Sequence, residues 1–383
     1  MKSSMRILML NYEFPPVGGG GGVASHKLAK GFIKLGHEVD YVTSHYKGLK
    51  KQEKIDGINI YRVPTFFRKD RATATFLSML TYDFFAILKG IQLCLKNKYG
   101  FINTQFVVPT GPVGLVLSKL FGIKNILSLI GGDIYDPSKK SSPHLHSYWR
   151  LIIRYIIEKS DFITAISSDT KKNTIKYFNP KKEIHIIPLP YEKFKFKKVS
   201  RDKLGMKKDK FYLISVGRLV ERKGFKYLIQ AMKSLPEEIE LNLLGDGPLL
   251  SQFKKLARKE GVEGRVHFRG FISEEKKFQY LNNSDLYVLS SLHEGFGIVL
   301  QEAMQVGLPI VATNNGGQVD ILEDGKNALL VNPKSAKKLT AVIKKIYRDK
   351  SKSRLFRQEN LKTINSFSLA KIVKEYLYLI RSK

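Results

Sequence analysis

At 383 residues with 43% hydrophobic side chains, the chain is too long for one ordinary core and suits two domains. A single cysteine, Cys94, excludes an intrachain disulfide. The formal charge of +32 is no basic tail, since residues 1–190 carry 28 basic and 13 acidic side chains and the remainder 38 and 21, so it predicts a general attraction to polyanions and anionic membrane surfaces.

In chain order, Arg6 to Tyr12 reads as a buried strand whose apolar run is too short for a signal peptide. No stretch reaches the ~18–20 apolar residues of a membrane span. The nearest candidate, Phe84 to Leu95, is interrupted by Lys89 and Gln92. The expected location is therefore the cytoplasm, with a peripheral place on the cytoplasmic membrane face. Zinc-ligand spacing, an RNP-like aromatic motif and an isolated basic arm are missing, so nucleic acid is not an expected partner.

The loop Glu13-Phe14-Pro15-Pro16-Val17 runs into five glycines, Gly18 to Gly22. An amphipathic helix follows, with Leu28, Ala29, Phe32 and Ile33 inward, and Gly36-His37-Glu38 turns into a strand at Val39 to Thr43. This is the opening of a Rossmann-like domain without the dinucleotide spacing of glycines. A glycine run can be a linker. Its place between a buried strand and a helix makes Gly19, Gly20 and Gly21 candidate ligand contacts instead. His26 and His37 read as packing or surface groups. Residues 64–98 interleave Phe66, Phe67, Phe76, Leu80, Phe84 and Leu88 with Arg68, Lys69, Arg71, Lys89, Lys96 and Lys98. Most of these apolar groups are expected in the core, and the Phe66 to Arg71 loop is the candidate for a membrane surface. Asn125 to Ile130 is a strand ending in Gly131-Gly132-Asp133, where Asp133 is either a catalytic acid or a turn cap. Ser167 begins a helix after the strand Ile163 to Ile166.

A proline-marked linker at Pro188-Leu189-Pro190 ends the first half. Phe211 to Val216 restarts the strand–loop–helix pattern, followed by Gly217-Arg218 and Glu221-Arg222-Lys223-Gly224. Arg218 offers a bidentate fork to phosphate oxygens and Lys223 a point charge, two fixed cations for a departing diphosphate. Leu241 to Leu244 with Gly245-Asp246-Gly247, and Val266 to Gly270 with Phe271, are further strands with turns. After a strand at Asp285 to Leu289, Glu294-Gly295-Phe296-Gly297-Ile298-Val299 reads as a glycine turn into a helix that carries Glu302. A helix start presents unpaired N–H groups to an anion, and the glycines admit a ligand to the backbone. Glu294 can accept from sugar hydroxyls and Glu302 from a ribose, so the segment suits a nucleotide-sugar. A solvated surface helix is the plainer alternative. The last residues, Leu361 to Lys383, end in an amphipathic helix.

Glu294-x7-Glu302, Gly217-Arg218-Leu219-x3-Lys223-Gly224, Gly307-Leu308-Pro309 with Gly316-Gly317, and Pro15-Pro16-x-x-Gly19-Gly20 together resemble glycosyltransferase family 4 over nearly the whole chain. The resemblance implies an α/β GT-B fold, two Rossmann-like domains facing a central cleft. The expected division is an acceptor-side domain over 1–188, a nucleotide-sugar-binding domain over 189–365, and a terminal helix, 366–383, returning to the first domain. It implies a retaining transferase of the hexosyl type acting by front-face displacement. The donor would be a UDP-, GDP- or ADP-sugar, with no cofactor or metal required, and the acceptor a glycan or lipid-linked saccharide. Arg218, Lys223, Glu294 and Asp133 are then the catalytic candidates. Gly19, Gly20 and Gly21 approach the donor phosphates, Gly217 and Gly245 form turns at the nucleotide, Phe271 lies at the base rim, and Gly295 to Val299 with Glu302 hold the diphosphate and ribose. The histidine that many family relatives carry near Ile130 is absent, and the relatives' Pro-Asn-Gly is missing at the linker. A GT-B sugar-nucleotide epimerase or a non-catalytic sugar-nucleotide-binding protein are the alternative readings.

Overall fold

The computed structural model describes residues 4–71 and 74–382. In chain order the strands are β1 (Arg6–Leu10), β2 (Glu38–Ser44), β3 (Gln52–Ile55), β4 (Ile58–Val63), β5 (Phe101–Gln105), β6 (Asn125–Leu129), β7 (Phe162–Ala165), β8 (Ile184–Ile186), β9 (Phe211–Val216), β10 (Ile239–Leu244), β11 (Val266–Gly270), β12 (Leu286–Leu289), β13 (Ile310–Thr313) and β14 (Ala328–Val331). The helices are α1 (Gly20–Lys34), α2 (Phe76–Lys96), α3 (Gly111–Phe121), α4 (Ser147–Lys159), α5 (Ser168–Phe178), α6 (Phe225–Met232), α7 (Leu250–Lys259), α8 (Glu274–Asn283), α9 (Ile298–Gln305), α10 (Ala336–Arg348), α11 (Lys350–Thr363) and α12 (Leu369–Arg381). They form two compact units, Met1–Glu192 with Phe367–Lys383, and Lys193–Ser366.

The first unit is built on a sheet of order β3-β4-β2-β1-β5-β6-β7-β8. All its pairings are parallel except β3 with β4. Strands such as Ile7-Leu8-Met9-Leu10 are continuous apolar runs because helices cover both faces of a parallel sheet. The chain leaves β1 for β2 on one side and returns to β5 on the other, so the strand order reverses between β1 and β5. The C-terminal α12 lies on α1, where Gly31 permits the approach: a Cβ there would stand 2.5 Å from Val373. Ile372, Val373, Tyr376 and Leu377 fill that contact, and the Tyr376 hydroxyl reaches Ser128 Oγ at 3.2 Å.

Two features of this unit depart from the sequence reading. The first helix begins inside the glycine run, at Gly20, because the Glu13 carboxylate accepts from the N–H groups of Gly19 (2.9 Å) and Gly22 (3.1 Å) and so supplies the missing cap. In addition, α2 is one unbroken helix of 21 residues, held at its start by a Thr75–Ser78 capping box. By length and composition it is apolar enough to cross a membrane, which corrects the expectation that no stretch reaches that length. Its inner face nonetheless buries Tyr82, Ala86, Gly90 and Leu93 within the unit. Its apolar side chains divide between two faces: Phe76, Leu77, Leu80, Phe84 and Leu88 are exposed rather than in the core.

The second unit carries a parallel sheet of order β11-β10-β9-β12-β13-β14, with the reversal between β9 and β12. Leu213, Leu241, Val288 and Val311 meet Phe225, Leu228, Ile229, Phe253 and Phe356 in its core. Both units are therefore Rossmann-like α/β sheets.

Candidate active site

In an open parallel sheet, ligands collect beyond the carboxyl ends of the strands, where the strand order reverses. In the second unit that point is shared by the loops after β9 and β12. The loop after β9 holds Gly217 and the exposed Arg218, then a 3-10 turn over Glu221–Lys223. The loop after β12 holds Ser290 to Gly297 and leads into α9. The two loops touch at Gly224, with φ at +61°, where a Cβ would lie 2.1 Å from the Ser290 carbonyl oxygen. The Ser290 hydroxyl donates to the Lys223 carbonyl at 3.0 Å, and the Leu292 N–H donates to the Arg222 carbonyl at 2.7 Å. Gly245 seats the turn after β10 against the Gly217 carbonyl in the same way, at 2.1 Å from a notional Cβ.

These contacts carry a charge cluster. Glu294, 5% exposed, accepts from Lys223 Nζ at 2.5 Å and Ser291 Oγ at 2.6 Å through Oε1, and from Arg222 at 3.4 Å through Oε2. Burial alone raises its pKa, but the charges of Lys223 and Arg222 and the hydrogen bonds from Lys223 and Ser291 outweigh burial and hold it at about 2. A carboxylate has about four acceptor positions, so three protein donors leave roughly one for a ligand hydroxyl. The Lys223 ammonium has three donors and gives one to Glu294, so it can bridge that carboxylate and a phosphate. Sequence reasoning assigned Lys223 and Glu294 separately; the structure joins them and adds Arg222 and Ser291. The signal for Arg222 was its place beside Lys223 in the same turn.

Helix α9 begins with Gly297 in the left-handed conformation and has no side-chain cap. Ile298 and Val299 occupy its first turn, half-buried. Phe296 is buried, so any contact it makes with a ligand comes from its backbone rather than its ring. Glu302 lies one turn in, where Lys277 of α8 binds its Oε1 at 2.7 Å. Its Oε2 is buried and has no hydrogen-bond partner among the described residues. Lys277, missed in the sequence, is itself desolvated, yet the Glu302 and Glu274 carboxylates raise its pKa. Phe271 stands 89% exposed beyond β11, two strands from β9, or about 10 Å by strand spacing.

The first unit brings a second group of candidates together at its own strand ends. A Cβ on Gly21 would lie 2.3 Å from the Phe106 ring and 3.3 Å from Ile130, so this glycine packs the helix start against the loops after β5 and β6. Glu13 engages Gly19 and Gly22, which leaves the first-turn N–H groups of Gly20 and Gly21 for a ligand. Asp133 accepts from the N–H groups of Val107 (2.7 Å) and Ile130 (3.0 Å) and ties those loops together. Burial raises its pKa, its backbone donors lower it, and the result is about 6. It also lines a cavity of about 500 Å³ with Phe76 and Trp149. Arg68 is turned inward, its guanidinium 4.7 Å over the Tyr12 ring and bonded to Ser44 Oγ, so it pins the Phe66 to Arg71 loop rather than extending into solvent. Among the described residues, no group of three His, Cys, Asp or Glu side chains is placed to hold a metal ion.

Two family profiles match, "Glycosyltransferase Family 4" over residues 18–192 and "Glycosyl transferases group 1" over 196–363. The uncharacterized glycosyltransferase MJ1607 of Methanocaldococcus jannaschii is 29% identical, covering 86% of this chain and 86% of that protein. The lipopolysaccharide core biosynthesis glycosyltransferase LpsE of Rhizobium meliloti is 38% identical over 48% of this chain and 54% of its own. Among solved structures, a sucrose-phosphate synthase from Thermosynechococcus elongatus superposes with a TM-score of 0.85 at 21% identity, over 99% of this chain and 98% of that one. Anabaena Alr3699/HepE, in complex with UDP and glucose, gives 0.80 at 20% identity, over 99% and 100%. The chain belongs to glycosyltransferase group 1/family 4 and is a GT-B glycosyltransferase that uses nucleotide-sugar donors.

Proposed function

We propose that this glycosyltransferase is a retaining enzyme that moves a sugar from a nucleoside-diphosphate donor to a lipid-linked glycan acceptor at the cytoplasmic membrane face. In the reaction, the bond between the anomeric carbon and the diphosphate oxygen breaks and the electron pair leaves with the nucleoside diphosphate. The acceptor oxygen attacks from the same face, and its proton passes to the leaving phosphate. Arg218 and Lys223 stabilise the charge that grows on that phosphate, where fixed cations act best because they need no reorganisation. Glu294, itself bonded by Arg222 and Ser291, holds Lys223 in place and keeps its remaining acceptor position for a hydroxyl of the transferred sugar. The N–H groups at the start of α9 face the diphosphate and Glu302 Oε2 takes the ribose. In the first unit, Gly20 and Gly21 offer N–H groups to an anionic group, and Asp133 orders the loops after β5 and β6.

The observation that carries this reading is the cluster of half-buried Lys223 and Arg222 on buried Glu294 at the strand-order reversal, with the exposed Arg218 in the same loop as Lys223 and the start of α9 without a side-chain cap. HepE binds UDP and glucose, which supports a UDP-sugar as the first donor to try. The name of LpsE supports an acceptor on the way to a surface glycan. The lipid-linked part rests on the apolar exposed faces of α2 and α4 in a strongly basic chain. The experiment is a panel of UDP-, GDP- and ADP-sugars, first by thermal shift and then by donor hydrolysis, with the anomeric configuration of any product read by NMR. Turnover with inversion refutes the retaining mechanism, and release of an epimerised sugar refutes transfer.

A further inference from the structure

The first unit exposes more apolar surface than its fold requires. On α2, Phe76, Leu77, Leu80, Phe84 and Leu88 fall at helical spacing and are 49–60% exposed. On α4, Tyr148, Leu151, Ile152 and Tyr155 form a second stripe, with Leu151 at 70%. The stripes adjoin, since the Phe76 and Trp149 rings meet edge to face at 6.2 Å. A half-exposed aromatic ring presents on the order of 100 Å². The joint patch therefore exceeds the roughly 300–600 Å² of the largest patch on a typical monomer. Lys96, Lys98, Arg150 and Lys159, on or next to the same helices, are exposed, so the apolar strip has a cationic border suited to an anionic bilayer.

The 500 Å³ cavity lies where these stripes meet. Phe76, Met79, Tyr148 and Trp149 give it an apolar wall that continues the exposed strip. Its other wall is polar, with Gly132, Asp133 and Lys139. An apolar wall continuous with a membrane-suited surface, opposed by polar groups at a strand end of the sheet, suits an amphiphile.

We propose that this cavity receives the hydrocarbon chain of a membrane-lodged amphiphile, laid along Phe76, Met79 and Trp149, with the polar head toward Lys139 and His146 on the opposite wall. The inference rests on the lipid-linked acceptor reading above and adds its binding site. It implies that the acceptor enters from the bilayer along α2 and α4, without leaving the membrane.

Trp149 is the sole tryptophan of the chain, so its fluorescence reports occupancy without any turnover. Decyl phosphate, titrated below its micellar concentration, should shift the emission to the blue with saturation. Gly132→Leu should abolish the shift, because a Cβ at Gly132 meets no atom within 4 Å and the larger side chain fills the cavity instead of disturbing the fold. Met79→Gln, which makes the wall polar, should weaken it at least tenfold, and Leu151→Ser, on the outer strip, should leave it unchanged. A far-UV circular dichroism spectrum confirms that each variant is folded. A shift with maltotriose but not decyl phosphate would make the cavity a glycan platform and overturn the proposal. So would a shift that survives Gly132→Leu, which marks adsorption on the strip, or no response to decyl phosphate at all. Donor binding to the second unit is measured separately with UDP. A protein that fills the cavity yet uses no nucleotide-sugar refutes the transfer reading and leaves the cavity assignment standing.

Discussion

Glu294→Gln removes one negative charge from between Lys223 and Arg222 while keeping the shape of the side chain. In the folded protein, Glu294 titrates at about 2 against an ordinary 4.5. A folded pKa below the unfolded one means that the carboxylate contributes stability above about pH 4.5, and that this is lost as pH falls toward 2. At about 1.4 kcal/mol for each tenfold change, the gap corresponds to roughly 3 kcal/mol at neutral pH, an order-of-magnitude figure for a group so deeply buried. Gln keeps a hydrogen-bond acceptor, so the expected loss is about 2–3 kcal/mol, within the range for breaking a buried pair from one side. For a domain of this size each kcal/mol moves the midpoint by about 2–4 °C, so Tm should fall by about 4–12 °C at pH 7. The assay is a thermal melt of both proteins from pH 7 downward. The deficit should be constant to about pH 5 and should then shrink as wild type loses the same charge. A variant that melts within about 1 °C of wild type at pH 7, or a deficit that does not shrink below pH 4, refutes the account of Glu294 as an ionised anchor.

Arg218→Ala should lower kcat by roughly 10²-fold or more with Tm unchanged, because the exposed guanidinium supports the departing charge and not the fold; steady-state kinetics and a melt test both halves. Lys223→Ala should lower kcat at least as much and also destabilise, since it leaves Glu294 with one cation fewer; a stable, fully active variant overturns the phosphate assignment. Glu302→Ala should raise the Kd of the free nucleoside diphosphate about ten- to a hundredfold, the loss expected for a charge-assisted hydrogen bond to the ribose; calorimetry with UDP reads it, and unchanged UDP affinity removes the ribose role. Binding to anionic vesicles should fall as salt rises and fall again in Phe84→Ser/Leu151→Ser. Vesicle sedimentation would show the charge serving something else if binding proved insensitive to salt.

The strands and the turns after them were legible because parallel strands are continuous apolar runs and their ends are marked by glycine, as at Val216-Gly217, Leu244-Gly245 and Gly270-Phe271. The two Rossmann-like sheets follow from those signals. What stayed hidden were pairings between distant residues. Nothing near Glu302 names Lys277, which arrives from α8, and nothing near Glu13 announces that its carboxylate will reach Gly19 and Gly22. The faces of α2 were also illegible. Apolar residues at 76, 80, 84 and 88 and at 82, 86 and 93 both satisfy helical spacing, so periodicity finds the helix without telling which stripe meets the sheet. Arg68 reads in the sequence as part of a membrane-facing loop, because the Tyr12 ring that it stacks on lies 56 residues earlier.

The charge arrangement in the second unit follows a logic of its own. A nucleoside diphosphate gains negative charge as its bond to the sugar breaks, and a site must present positive charge there without holding free cations apart in a dry interior. Lys223 and Arg222 converge on a single carboxylate, so the cluster carries one net positive charge, and Arg218 nearby in the chain adds a second. Glu294 makes that concentration tolerable: without it two cations would face each other partly desolvated, the unpaired burial that proteins avoid most strongly. With it, Lys223 is oriented by a 2.5 Å hydrogen bond and Arg222 is drawn to the same carboxylate at 3.4 Å before the donor arrives, and Lys223 keeps two donors for phosphate. A preorganised net charge of this kind stabilises a developing anion more than a flexible lysine does, because the ordering has been completed in folding. Under the proposed function, the same residue would link stability to catalysis, and its substitution should register in both.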